Sequence, residues 1–386
     1  MARFELSKPL AIAMWDFSWL ERRWPGAGYE DPGAALDELA ERGYDAVRID
    51  AYPHFHAHGP TTPRTVVPVW NQQTWGSPAK TTVQLQPALS EFIRACRDRG
   101  IAVGLSSWYQ NDLDDLKRII PSPEAHARQW IGVLDDLAEQ DLLDTLLYVD
   151  LCNEWPVKNW ALFFHLAHGD RDDNKFAAPH SVAWMAQATD LLRQHYPNIP
   201  LSFSNVGKPP AEPTDELLTA LDFYEPHLWV ATAPAGQGFY GAIDYSFQLH
   251  DPVGFENVVA RAEKLYRADP AHWQKILTDE IDGAAEASRV TGKPLITTEC
   301  WGIVDYKDWP GLNWDWVKEL CVVGTKHAAS TGRWAAIATS NFCGPQFVGM
   351  WRDIDWHREL TNTIHNASLP EEAVAATRLD AAAAQP

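Results

Sequence analysis

The 386-residue chain has little cysteine, little methionine, few positive charges and no long apolar run. Its five cysteines, Cys96, Cys152, Cys300, Cys321 and Cys343, are odd in number and lack CxxC spacing. This argues against a disulfide scaffold and makes buried free thiols the expectation. Only 32 Lys+Arg stand against 52 Asp+Glu, a formal net charge of −20. Phosphate binding needs clustered basic side chains, so the balance argues against a nucleic-acid partner and leaves a neutral substrate unaffected. No run approaches the ~20 apolar residues that cross a bilayer, so no membrane partner is expected. The opening MARFELSKPLAIAMWDFSW has no apolar h-region and no small-residue cleavage site, which predicts a soluble cytoplasmic protein. A glycine-rich phosphate loop is also missing after the first strand-like run, which counts against a dinucleotide-binding open sheet.

What is abundant is tryptophan, with 19 residues. Indole faces stack on sugar rings, and they also fill large cores, so the excess divides between a carbohydrate site and packing. The dominant pattern is a short apolar run, a loop, then an amphipathic stretch closed by glycine. Helix-like segments end at Gly43, Gly100, Gly292 and Gly332, as C-capping requires. Strand-like runs cover 9–15, 44–50, 101–107, 146–152, 199–205, 221–230, 294–300 and 333–340. Their apolarity is continuous rather than alternating, which suits strands buried on both faces of a parallel sheet. Eight such runs alternating with helices predict an α/β (β/α)8 barrel in one domain, 1–366, with 367–386 a frayed Ala-rich tail. Long excursions at 51–86 and 231–271 follow the second and sixth strands, on the side where barrel active sites are built.

Two glutamates stand out. Glu154, in YVDLCNEWP, lies just beyond the fourth strand, and Glu299, in PLITTECWG, ends the seventh. Strands four and seven face each other across a barrel mouth, so two carboxylates there can flank one scissile bond. At about 5–5.5 Å apart, one attacks the anomeric carbon while the other protonates the leaving oxygen. The acid must keep its proton near neutral pH, which burial and a nearby like charge can arrange.

These endings resemble those of clan A glycoside hydrolases, in particular family 5, and the opening IAMWDFSWLERRWPG with YVDLCNEWP is similar to its cellulase-like branch. The resemblance covers about residues 10–365. It implies that Glu154 is the acid/base, Glu299 the nucleophile, and Asn153 a contact to the sugar 2-hydroxyl. Arg48, in AVRID, is similar to the strand-two arginine that holds the nucleophile ionised, and His227, in EPHLW, to the strand-six histidine beside it. The chain departs from the family at three positions. Trp229 stands where a tyrosine is usual, and Ser107 or Trp108 replaces the strand-three histidine. No strand-eight tryptophan tops IATSNFCGP; Trp334 is too early, leaving Asn341 or Phe342 at the top. These differences weaken an endo-cellulase assignment.

Other strand ends carry groups suited to sugar hydroxyls: Trp15 and Asp16 after strand one, Asp50 and Tyr52 after strand two, Asn205 after strand five, and Trp301 after strand seven. Asp can fix a terminal sugar, which suggests exo action; Asp16 or Asp50 could equally pair with Arg48 or Arg22. His54, His56 and His58 form an H-x-H-x-H run that would share one face if extended, as metal ligands do. Amidohydrolase-type sites place such a pair after strand one, and want Lys where Glu154 stands, so a sugar-lining loop is preferred. The reading is a retaining exo-β-glycosidase acting on short oligosaccharides without a cofactor. A sugar-binding barrel without catalysis and a metal hydrolase using the histidine run are the alternatives.

Overall fold

The computed structural model describes residues 6–67, 80–231, 238–245 and 252–373. Eight parallel strands form a closed ring: β1 (Leu10–Asp16), β2 (Ala46–Asp50), β3 (Ala102–Ser106), β4 (Leu146–Asp150), β5 (Leu201–Ser202, resumed at Asn205–Val206), β6 (Pro226–Trp229), β7 (Leu295–Thr297, resumed at Cys300–Trp301) and β8 (Trp334–Ile337). The first parts of β7 and β5 end a seven-stranded sheet, and their resumed parts pair with β6. Together these pairings complete the ring. Every barrel-strand residue from Ala11 to Asp16, Ala46 to Asp50 and Leu295 to Thr297 is buried, in line with their unbroken apolarity.

Eight helices follow the strands in turn: α1 (Pro32–Glu41), α2 (Ala88–Arg97), α3 (Pro123–Ala138), α4 (Pro179–His195), α5 (Asp215–Ala220), α6 (Pro270–Thr291), α7 (Asp315–Ser330) and α8 (Ile354–His365). The sequence marks their starts. Asp31, Ser122, Thr214, Asp269 and Asp353 each accept a backbone N–H of the first turn, and proline opens α1, α3, α4 and α6. Gly43, Gly100, Gly292 and Gly332 adopt the left-handed conformation that ends a helix cheaply, as their positions predict.

The fold is therefore the expected (β/α)8 barrel. Fourteen of the 17 tryptophans among the described residues are buried, and nine of the twelve largest fully buried side chains there are indoles. Tryptophan here is mainly packing material rather than sugar platform. All five cysteines are free and buried. Among the described residues, no helix is long and apolar enough to cross a membrane. Glu372 binds Arg333 at 2.9 Å and Ala373 is 1% exposed, so residues 367–373 dock on the barrel; the remainder of the expected tail lies outside the described residues.

The excursion after β2 also differs from a plain loop. It holds a short helix, Pro53–Ala57, and an antiparallel pair, Arg64–Val66 with Thr81–Val83. Part of its VVPVWNQQTWGS segment lies outside the described residues.

Candidate active site

The centre of the site is Arg48, on β2 and fully buried inside the ring. Its Nε and Nη2 clamp Asp16 at 2.8 and 2.7 Å. Its Nη1 donates to Glu225 Oε1 at 2.8 Å and lies 3.3 Å from His227 Nε2. Its Nη2 also donates to Asn153 Oδ1 at 2.8 Å and Glu299 Oε1 at 2.6 Å. A guanidinium presents a planar fork of five N–H groups, and here nearly all of the fork meets anionic or amide oxygen.

Glu154 and Glu299 meet at His227. The ring Nδ1 lies 3.1 Å from Glu154 Oε1 and 3.5 Å from Glu299 Oε2. One ligand atom from each of the three falls within 4.8 Å of the others. With Arg48 donating to Nε2, the neutral ring carries its proton on Nδ1, directed at the carboxylates. Burial pulls the imidazole down, but Glu299 and Glu154 outweigh burial and Arg48, so the net direction is up. Among the described residues this trio is the only group of His, Cys, Asp or Glu close enough to share a cation. The positive charge beside Glu299 is already supplied by Arg48.

The two glutamates sit in unequal surroundings. The Glu299 side chain is 2% exposed and that of Glu154 17%. Burial pushes the Glu299 carboxyl up to about 8; His227 and Arg48 pull it down, while Glu154 and Asp16 push it up. Arg48 shares its one charge among Asp16, Glu225 and Glu299, so its pull on Glu299 falls short of the push from burial. Glu154 leaves β4 in the left-handed region, at φ +46°, which costs a non-glycine residue roughly 1–2 kcal/mol. Ser204 compensates by accepting the Glu154 amide at 2.8 Å on its hydroxyl and the Trp155 amide at 2.9 Å on its carbonyl. Asp150 fixes Ser204 in turn, accepting both its N–H and its O–H.

An aromatic wall leads to Glu154. Trp160 Nε1 donates to Glu154 Oε2 at 3.2 Å, and its ring meets Trp108 edge-on at 4.7 Å. Trp108 in turn packs on Phe17 and donates its indole N–H to Asp16 Oδ2 at 2.7 Å.

Of the residues singled out from sequence, Arg48, Asn153, Glu154, His227, Glu299 and Asp16 converge, and Trp108 joins through Asp16. Asp16 is spent on Arg48 and Trp108. Asp50 is spent on the Tyr52 and Trp108 backbone amides, at 2.7 and 2.8 Å, so neither offers the free carboxylate that a terminal-sugar contact needs. Trp15 points away from the site, packed on Tyr29 and Phe92 with its N–H on the Cys343 carbonyl. Trp301 likewise lies under α7, over Gly324 and against Trp334, and donates to the Ala338 carbonyl. Trp229 is buried at the end of β6, in register with Trp301.

The histidine run does not converge either. It lies on the helix Pro53–Ala57 and its C-cap, where residues two apart diverge by about 200°. His54 is 3.2 Å from the Gln110 carbonyl, and burial pushes it down to about 3; His56 binds Asp136 of α3 at 2.6 Å. Sequence reasoning missed Glu225, Ser204 and Trp160. Glu225 had a signal, since it stands two residues before His227 and so shares its side of the chain if the strand extends back to it.

A family model described as sugar-binding cellulase-like matches residues 12–365. A crystal structure of a candidate glycoside hydrolase from Parabacteroides distasonis is 48% identical, with 96% of this chain and 98% of that chain covered and a TM-score of 0.91. Two distant structures share the fold. A family 5 mannosidase from Rhizomucor miehei is 9% identical, with 92% and 93% covered and a TM-score of 0.53. An endo-1,4-β-D-mannanase from Thermotoga petrophila is 12% identical, with 86% and 87% covered and a TM-score of 0.52. No curated protein matches the chain. The match of one family model to most of the length, beside a 48% identical structure that covers nearly all of it, makes this chain a member of the sugar-binding cellulase-like family.

Proposed function

We propose that the protein is a retaining, exo-acting β-glycosidase of short oligosaccharides or glycosides, with Glu299 as nucleophile and Glu154 as acid/base. The observation that carries this reading is the meeting of both carboxylates at one imidazole, one buried on Arg48 and the other reaching outward. Double displacement needs one proton on the pair, on the member nearer the leaving group. Arg48 occupies Glu299 Oε1 and favours the anion there, leaving Oε2 on the His227 side to attack the anomeric carbon. Glu154 then protonates the leaving oxygen and afterwards takes a proton from water. Asn153 directly precedes Glu154, and with its Oδ1 held by Arg48 it is assigned the sugar 2-hydroxyl through Nδ2, a contact that requires the substrate to open this buried atom. The low exposure of both glutamates favours a substrate end entering a recess over a chain lying in an open groove.

A screen of aryl β-glycosides, with the first product anomer followed by NMR, tests the reading. Net retention and covalent labelling of Glu299 by a 2-fluoro sugar are expected. Activity that survives both Glu154→Gln and Glu299→Gln overturns it. The upward push on Glu299 favours a second reading, a sugar-binding barrel without turnover, because a protonated carboxyl cannot attack. Tight saccharide binding with no hydrolysis across the same screen would select it.

A further inference from the structure

Among the buried groups that the proposed reaction does not use, Glu225 stands apart. It is fully buried, just ahead of β6. Its Oε1 accepts from Arg48 Nη1 at 2.8 Å and from the Thr298 hydroxyl at 2.6 Å, while Oε2 has no protein partner. Thr298 immediately precedes Glu299. One carboxylate oxygen thus ties the guanidinium of β2 to the residue before the nucleophile.

We propose that Glu225 is a positioning residue for Arg48: with Asp16 it clamps the guanidinium from two sides, so that Nη2 is presented to Glu299. The inference rests on the role proposed for Glu299. The geometry requires a clamp. The two Nη2 hydrogens serve three acceptors, Asp16, Asn153 and Glu299, so a small rotation of the fork would favour one acceptor over the others. Asp16 holds the Nε edge, and Glu225 holds Nη1 at the far corner. Without Glu225, nothing anionic opposes that rotation on the Nη1 side, where the remaining neighbour is His227 Nε2.

Glu225 also shares Arg48's charge with Glu299. The charged and titratable groups facing Glu299 are Arg48, His227, Glu154 and Asp16. Those facing Glu225 are Arg48, Asp150 and Tyr148. Removing the Glu225 charge leaves more of the guanidinium for Glu299.

The test compares wild type, Glu225→Gln and Thr298→Val in two measurements. The first is a 13C-carboxyl NMR titration of glutamate-labelled protein, with the Glu299 resonance assigned by its loss in Glu299→Gln. The isosteric amide keeps an acceptor for Nη1 but removes the charge, so the Glu299 midpoint should fall by roughly one pH unit. This measurement needs no turnover, so failure of the glycosidase reading leaves it intact. The second is the pH profile of kcat on an aryl glycoside. Its acid limb should fall with the resonance in Glu225→Gln, and Thr298→Val, which loosens the clamp, should lose kcat by about 10- to 100-fold with KM little changed. A Glu299 resonance unmoved in Glu225→Gln overturns the proposal, as does Thr298→Val with wild-type kcat.

Discussion

Replacing the Glu299 carboxyl by an amide should make the protein more stable, by a margin that widens as pH rises. The residue is 1% exposed, and burial pushes its carboxyl from 4.5 up to about 8 against the pull of His227 and Arg48. In the unfolded chain the same group releases its proton near 4.5. Between these values the folded state binds more protons than the unfolded one, so the stability present below pH 4.5 is lost as pH rises toward 8. At ~1.4 kcal/mol per pH unit, the span from 4.5 to 7 corresponds to roughly 3 kcal/mol, a penalty that Glu299→Gln does not carry. An unfolding entropy of about 2 cal/mol/K per residue turns this into roughly 4 °C for a chain of this length. The amide oxygen can still accept from Arg48, and Asp50 and Asp150, which burial also pushes up, are present in both proteins and cancel. Paired thermal melts at pH 5, 6, 7 and 8 measure the effect. The curves should nearly coincide at pH 5 and separate steadily above it. A variant that melts at or below wild type at pH 8, or a gap that stays constant from pH 5 to 8, refutes the reasoning, since a constant gap would report packing rather than charge.

Glu154→Gln should slow glycosides with poor leaving groups by on the order of 1,000-fold and activated dinitrophenyl glycosides far less, with added azide trapped as a glycosyl azide. An equal loss on both substrates would remove Glu154 from the acid/base role. Arg48→Lys should cost about 3–5 kcal/mol in urea denaturation and on the order of 100-fold in kcat, because one ammonium cannot reach Asp16, Glu225 and Glu299 together. Near-wild-type values in both assays would show that the fork geometry is dispensable. His56→Ala should cost no more than about 1 kcal/mol and leave activity unchanged with or without a chelator, since its partner is Asp136 on α3. A tenfold loss would return the histidine run to the active site.

The barrel was readable because its signals are local. Continuous apolar runs, N-capping Asp, Ser and Thr, and glycines at helix ends each depend on a few neighbouring residues. The breaks in β5 and β7 were not readable, because nothing in the apolar runs 199–205 and 294–300 marks an interruption. Strand parity explains the error at Trp15. Adjacent positions point to opposite faces, so Trp15 and Asp16 could not both enter the site; Asp16 faces Arg48, and Trp15 joins the outer core. The histidine run failed for a related reason. Its shared face needed an extended segment, and Pro53 instead opens a helical turn that sends His54 and His56 to different partners.

The two glutamates proposed as catalytic could be picked out as a pair, but their standing among the other acids could not. Asp16, Asp50, Asp150, Glu225 and Glu299 all lie at or near strand ends and are all buried, and by residue type any of them could meet a sugar. What separates them is how many of their oxygens the protein has already engaged. Asp16 and Asp50 have both oxygens held, and Asp150 is held by Ser106 and Ser204. Glu225 has one oxygen held and the other sealed from solvent. Only Glu299 and Glu154 turn an oxygen each toward the same imidazole, and only Glu154 retains appreciable exposure. A sequence shows which side chains carry charge; which of them has an oxygen left for a substrate is decided by neighbours on other strands, such as Arg48, which lies 177 residues from Glu225 and 251 from Glu299.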